Sequence, residues 1–289
     1  MASLHLTLAC WDYDRMKTLE DGRVEPEGIQ LNFRIRHELS LSSYVLNPHE
    51  YVFPSRFFRH QSIYVNTKAG ITHPLQLAGR PVGTPEFQMT APVWRRGILE
   101  DEYGLKYDAL HYFTGNIEHS DTECKEKIPL DLGESVKIQA ILKGKCLAQM
   151  LADGEIMALE SRDTAPSTFG KHPDVRRLFP TRWKLKRHVI VVKRSLVKQH
   201  PRDARSRSLT KAMPTPLTHK RGALRSASKE TQAAMCRDGE DKWWQDGLTR
   251  QNRRTLEKFL EYSFNQELSK KKWQVEELFA PGASGEFVV

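Results

Sequence analysis

Arg80-Pro81-Val82-Gly83-Thr84-Pro85-Glu86-Phe87-Gln88-Met89-Thr90 reads as a strand that turns directly into a helix. Arg80–Gly83 is short and extended. Gln88–Tyr103 carries a helical pattern, and Gly104 stops it because glycine accepts the left-handed conformation that ends helices. A strand that feeds a helix at once is the building unit of an α/β fold with a mostly parallel sheet.

The same alternation extends in both directions. Upstream, Leu4–Ala9 alternates apolar and polar residues as a strand does, and a short helical pattern follows that ends at Gly22. In Ile29–Ile35, Ile29, Leu31, Phe33 and Ile35 point one way and Gln30, Asn32 and Arg34 the other, which is strand periodicity. Ser62–Asn66 is a strand around Ile63, Tyr64 and Val65, and Pro74–Ala78 is a helical turn stopped by Gly79. Downstream, strands are predicted at Leu110–Phe113, Val136–Ile141 and His188–Val192. Helices are predicted at Lys145–Ala152, near Ser195 and over Thr249–Asn265, with Leu256, Phe259, Leu260 and Phe264 at helical spacing. Val275–Phe279 reads as a last helical turn and Pro281–Val289 as a loose tail.

Composition excludes several classes. Of 289 residues, 39% are hydrophobic and 28% charged, which fits a globular protein and not a collagen-like, mucin-like or wholly disordered one. No apolar run approaches the roughly 18 residues of a membrane span. The N-terminus lacks a basic n-region and reads as a first strand, so a cytoplasmic location is expected. Cys10, Cys124, Cys146 and Cys236 form no C-x-x-C pair, so reduced thiols are expected and a zinc site is not.

The net charge of +9 is uneven. Lys171–Lys229 holds 18 Lys+Arg and 2 Asp+Glu, a balance of +16, and leaves the remainder at −7. A basic block can bind nucleic acid, but a charge run alone more often marks a solvated stretch. Within it, Arg202–Arg237 mixes Pro, Gly, Ser, Thr and basic residues without an apolar stripe and reads as irregular.

In α/β folds ligands bind beyond the carboxyl ends of strands, so the turns there carry the candidate residues. Phe53-Pro54-Ser55-Arg56-Phe57-Phe58-Arg59-His60 sets two guanidinium groups and an imidazole beside three aromatic rings. Arg binds carboxylates bidentately, His donates a proton near neutral pH, and the rings suit a flat aromatic ligand. A strand edge with basic residues facing water is the plainer alternative. In Gly83–Thr90, free backbone N–H groups and the helix dipole form an anion site, to which Thr90 adds a hydroxyl. Glu86 is an acid or base if it faces the cleft; ordinary helix capping is the alternative. In Asp12-Tyr13-Asp14-Arg15, Tyr13 or Arg15 faces a ligand, or Asp12 or Asp14 simply caps a helix. Ser42-Ser43-Tyr44 is a further polar turn. His5, His111 and His172 stand alone, and there is no P-loop, H-E-x-x-H or G-x-G-x-x-G.

Taken in order, these segments resemble the 4,5-dihydroxyphthalate decarboxylase family. The likeness runs through Leu8–Arg15, Gly28-Ile29, Leu41–Tyr44, Phe53–Arg56, Phe58–His60, Ile63–Asn66, Val82-Gly83 and Pro85–Thr90. It continues in Trp94 with Arg96–Leu99, Tyr112–Gly115, Leu151–Ile156, Arg176–Pro180, Leu256-Glu257 and Glu276–Pro281. The resemblance implies a two-lobed type II periplasmic-binding-protein-like α/β fold, each lobe a mostly parallel sheet flanked by helices. Lobe one would take residues 4–77 plus 188–281, with 202–237 irregular. Lobe two would take 78–187, and 282–289 would be the tail. It also implies a carboxy-lyase of aromatic-acid catabolism, which converts 4,5-dihydroxyphthalate to 3,4-dihydroxybenzoate and CO2 in phthalate degradation. His60 and Glu86 would be catalytic. Arg15, Tyr13, Ser43, Arg56, Arg59, Thr90 and His188 would bind substrate. No metal and no cofactor is implied. The expected partner is a small aromatic carboxylate, with no membrane and no nucleic acid; a homo-oligomer stays open.

The chain departs from the family's pattern in three places. Ile35 runs almost directly into Leu39, where relatives carry roughly a helix. The approach to His188 after Arg182 is shortened, and Arg202–Arg237 lacks the expected apolar helix. Two alternatives therefore stay open: a non-catalytic solute-binding protein of the same fold, and an inactive member of the family.

Overall fold

The computed structural model describes residues 4–10, 17–23, 29–35, 56–58, 62–119, 130–161, 172–179, 185–187, 246–247, 250–278 and 286–287. The predicted strand at His188–Val192, the helix near Ser195 and the irregular 202–237 stretch lie outside them.

Strand β1 (Leu4–Cys10), helix α1 (Lys17–Glu20) and strand β2 (Ile29–Ile35) form a β-α-β unit. The two strands pair in parallel along their whole length, from Leu4↔Ile29 to Cys10↔Ile35. Leu19 and Ile29 are buried while Gln30 and Asn32 face solvent, as the alternation demands. Strand β3 (Arg56–Phe58) pairs antiparallel with a strand at Leu185–Arg187.

The principal sheet has six strands. In chain order they are β4 (Ile63–Asn66), β5 (Pro81–Thr84), β6 (His111–Thr114), β7 (Lys137–Ala140), β8 (Ala158–Glu160) and β9 (Val175–Arg177). Across the sheet the order is β7-β6-β5-β8-β4-β9. The first four run parallel, whereas β4 is antiparallel to both its neighbours. The chain leaves β5 through helix α2 (Thr90–Tyr103) toward β6. It returns from β7 through helix α3 (Leu147–Asp153) to β8, on the other side of β5. Connections thus diverge between β5 and β8, which is where open α/β sheets bind ligands.

Each face of the sheet is covered. One buries Ile63, Val65, Val82 and Ala158 with Phe87, Leu99 and Tyr112. The other buries Tyr64 and Leu159 against Leu147, Leu151 and Ile156. Gly83 is required there, because a Cβ would lie 2.7 Å from Ile156 Cδ1. Asn66 ties β4 to α3, its amide donating to the Leu151 and Ala152 carbonyls at 2.8 and 3.1 Å. Both carbonyls lie in the last turn of the helix, where intrahelical donors run out, and that of Leu151 also accepts from the Gly154 N–H at 3.2 Å.

After β10 (Leu185–Arg187) and β11 (Asp246–Gly247), helix α4 (Arg250–Asn265) lies against α2, and α5 (Val275–Leu278) follows. The helical spacing of Leu256, Phe259, Leu260 and Phe264 is matched by this helix, whose fully buried positions among those described are Asn252 and Tyr262, with Gln266 just beyond it. Phe264 is 39% exposed, and Phe259 packs on Trp94 at 5.4 Å between ring centroids. Tyr262 is buried in a close helix contact: Gly97 presents bare backbone to the Tyr262 ring, and a Cβ there would fall 2.3 Å from it. In the tail, β12 (Glu286–Phe287) pairs antiparallel with β11. Residues 63–66 and 250–265, which the resemblance groups with lobe one, make these contacts to elements within 78–187.

Candidate active site at the strand-end rim

The turn between β5 and α2 is well defined. Glu86, Phe87 and Gln88 are all buried, and Thr90 is half-buried as the first residue of α2. N-cap Met89 supplies no side-chain hydrogen bond, so α2 begins without a side-chain cap. The turn is braced from below by Arg96. Its Nη2 donates to the Phe87 carbonyl at 2.7 Å, its Nε donates to Gln266 Oε1 at 2.8 Å, and its guanidinium lies 3.8 Å over the Phe87 ring. Gln266 in turn donates to the Val93 carbonyl at 2.9 Å. The Phe87 ring meets Tyr112 edge-on at 5.0 Å, and burial holds the Tyr112 hydroxyl well above its usual pKa.

Three more polar side chains are buried beside this turn. Thr84 ends β5 and is fully buried. Glu160 ends β8, with 1% exposure. Arg95, on α2, is also 1% exposed; it donates to the Ser161 carbonyl, and its Nε stands 3.9 Å from Glu160 Oε1. That separation is an ion pair without a hydrogen bond. Thr84 Oγ1, Gln88 Oε1 and both Glu160 oxygens have no hydrogen-bond partner among the described residues. The Gln88 amide reaches Glu86 Oε2 at 3.5 Å.

Of the candidates from sequence, Glu86 and Thr90 are therefore placed together at this rim. Arg56 lies in β3, where its backbone pairs with Arg187. His60, Arg59, Arg15, Tyr13, Ser43 and His188 lie outside the described residues. Sequence reasoning missed Arg95, Glu160 and Gln266. The signal for Arg95 was a charged pair, Arg95-Arg96, set within the apolar run Val93–Leu99 of a helix. A helix that must bury that run carries its arginines inward unless it twists them out. The stretch after Leu159 is one of the strand-end turns where a ligand is expected, but no pattern singles out Glu160 within it. Among the described residues, no group of His, Cys, Asp or Glu is arranged to hold a metal ion, and no helix is long and apolar enough to cross a membrane.

No family model matches the chain. A curated 4,5-dihydroxyphthalate decarboxylase of Comamonas testosteroni is 32% identical over 337 aligned positions, covering all of this chain and all of the relative. A relative of the same name from Pseudomonas putida is 37% identical over 205 positions, 62% of this chain and 78% of its own length. The chain belongs to the 4,5-dihydroxyphthalate decarboxylase family. The longer alignment exceeds the chain's 289 residues, so it holds positions with no counterpart here. Among solved structures, the periplasmic sulfonate-binding protein of a sulfonate ABC transporter from Methylobacillus flagellatus superposes with a TM-score of 0.55 at 12% identity. It covers 97% of this chain and 92% of its own. The fold is thus type II periplasmic-binding-protein-like, as the resemblance implied. Within it, the β5–α2 turn and the end of β8 lie where the connections of the sheet diverge.

Proposed function

We propose that the chain is a carboxy-lyase that converts 4,5-dihydroxyphthalate to 3,4-dihydroxybenzoate and CO2 in phthalate degradation. Membership of a family whose curated members bear that name carries the reading. The buried polar rim at the switch point supports it, because a site for a small aromatic acid needs such groups at the end of the sheet.

Decarboxylating an electron-rich ring requires a proton at the carbon that bears the carboxylate. As CO2 leaves, the electrons of the broken C–C bond return to the ring and restore aromaticity. The ring hydroxyls feed density to that carbon, so the residues must orient the ring, supply the proton and exclude water. His60 gives the proton. Arg59 and Arg15 hold the carboxylates, with Arg56 in support. Tyr13, Ser43 and His188 complete the contacts to substrate. Glu86 accepts from a ring hydroxyl, and Thr90 with the N–H groups of the uncapped α2 start fixes the ligand. Lobe one takes residues 4–77 and 188–281 and lobe two 78–187, with β4 and α4 crossing between them. A cytoplasmic location accords with Cys146, whose thiol forms no disulfide among the described residues.

CO2 release from 4,5-dihydroxyphthalate by the protein and by His60→Ala tests the assignment. The proton-donor role predicts a loss of at least about 100-fold in kcat. Equal turnover in the two removes His60 from the chemistry.

A further inference from the structure

The end of β8 carries a group that the proposed mechanism does not use. In the parallel ladder, Val82 pairs with Ala158 and Gly83 with Leu159. Thr84 and Glu160 come next, and alternation puts both on the face of Val82 and Ala158. In the antiparallel ladder Glu160 pairs with Ile63, on that same face. Glu160 therefore sits at the middle of the sheet's carboxyl edge, on the side that α2 covers.

Its carboxylate is almost wholly buried, yet neither oxygen accepts a hydrogen bond from a described residue. Buried carboxylates kept for structure are closely paired and hydrogen bonded, because an ion pair alone seldom offsets desolvation. Arg95 compensates the charge from 3.9 Å and spends its short contact on the Ser161 carbonyl. The arrangement balances the charge of Glu160 and leaves its acceptor capacity unfilled. Thr84 Oγ1 and Gln88 Oε1, at the same rim, are likewise unfilled. Such a set takes a ligand through its hydroxyl donors, and repels its carboxylates.

We propose that Glu160, with Arg95 as its fixed counter-ion, accepts a hydrogen bond from a ring hydroxyl of the substrate and so selects hydroxylated over plain phthalates. This rests on the decarboxylase reading and extends it. Two adjacent hydroxyls then meet two carboxylates, Glu86 and Glu160, while the substrate's own carboxylates face the arginines. Arg95 is a positioning residue.

The test compares wild type with Glu160→Gln on two ligands. The dissociation constant of 4,5-dihydroxyphthalate should rise at least about tenfold in the variant, and that of phthalate, which lacks the hydroxyls, should stay within about twofold. Equal weakening for both ligands, or none for either, overturns the proposal. If the variant does not fold, wild type alone still decides. The affinity should climb from phthalate to 4-hydroxyphthalate to 4,5-dihydroxyphthalate, and a flat series overturns the proposal. Absence of CO2 release from the wild type would count against the decarboxylase reading, and the affinity series reads hydroxyl recognition independently of it.

Discussion

Where α2 meets α4, the polar side chains of Arg96, Gln266 and Tyr262 are tied to named partners. Arg96 reaches Phe87 and Gln266, Gln266 reaches Val93, and the Tyr262 hydroxyl donates to Asp101 Oδ2 at 2.5 Å. At the strand-end rim, Thr84, Gln88 and Glu160 are just as buried but keep open hydrogen-bonding capacity among the described residues. The first region spends its polarity on holding helices together. The second keeps polarity in reserve at a stability cost, as ligand sites do. A buried polar group thus says little by itself, and its partners decide which kind it is.

Substitutions on the two sides should differ in sign. The largest effect belongs to Arg96→Met, which orphans the Phe87 carbonyl and Gln266 together. A loss of about 3 kcal/mol in denaturant unfolding is expected. A loss below about 1 kcal/mol would mean that Arg96 is not a brace. Gly97→Ala comes next. Its methyl meets the rigid Tyr262 ring, and roughly 1–3 kcal/mol should be lost as α4 is pushed off α2. Tyr262→Phe deletes the bond to Asp101 and should cost about 1.5 kcal/mol.

The same tyrosines set a pH dependence. Burial, with the Asp101 carboxylate beside it, pushes the Tyr262 hydroxyl up. Burial and the bond to Glu267 push Tyr107 up to about 12. A phenol whose pKa is raised on folding keeps its proton where the unfolded chain has lost it. Its contribution is therefore present below about pH 10 and fades as pH rises from there toward 12. Unfolding midpoints between pH 9 and 11 should fall, and less steeply in Tyr107→Phe. An unchanged slope in that variant would remove Tyr107 from the effect.

The smallest change, and the opposite one, is expected at the rim. Thr84→Val removes a buried hydroxyl that has no partner among the described residues. It should leave stability unchanged or raise it by up to about 1 kcal/mol, while weakening ligand binding. A clear loss of stability would show that Thr84 belongs with the structural group.

Much of the fold was legible because its signals are local. The period-2 pattern of Ile29–Ile35 became a strand paired along its whole length, and Gly79 and Gly104 end their elements with positive φ. The strand-to-helix turn at Gly83–Thr90 stands where its pattern put it, and Glu86 and Thr90 with it. What stayed hidden depends on distant partners. Gln266 is 170 residues from Arg96, and Ser161 is 66 from Arg95. Glu160 closes an apolar run and reads locally as the start of a loop; its counter-ion Arg95 comes from α2, far away in sequence. The burial of Tyr262 in α4 depends likewise on a distant partner, the close approach at Gly97.

Incubation of the protein with 4,5-dihydroxyphthalate in D2O tests the central claim most directly. The account predicts CO2 and 3,4-dihydroxybenzoate that carries one deuterium at the vacated ring carbon. Unconverted substrate alongside a ligand-induced rise in Tm would contradict it, and would make the chain a binding protein of the same fold.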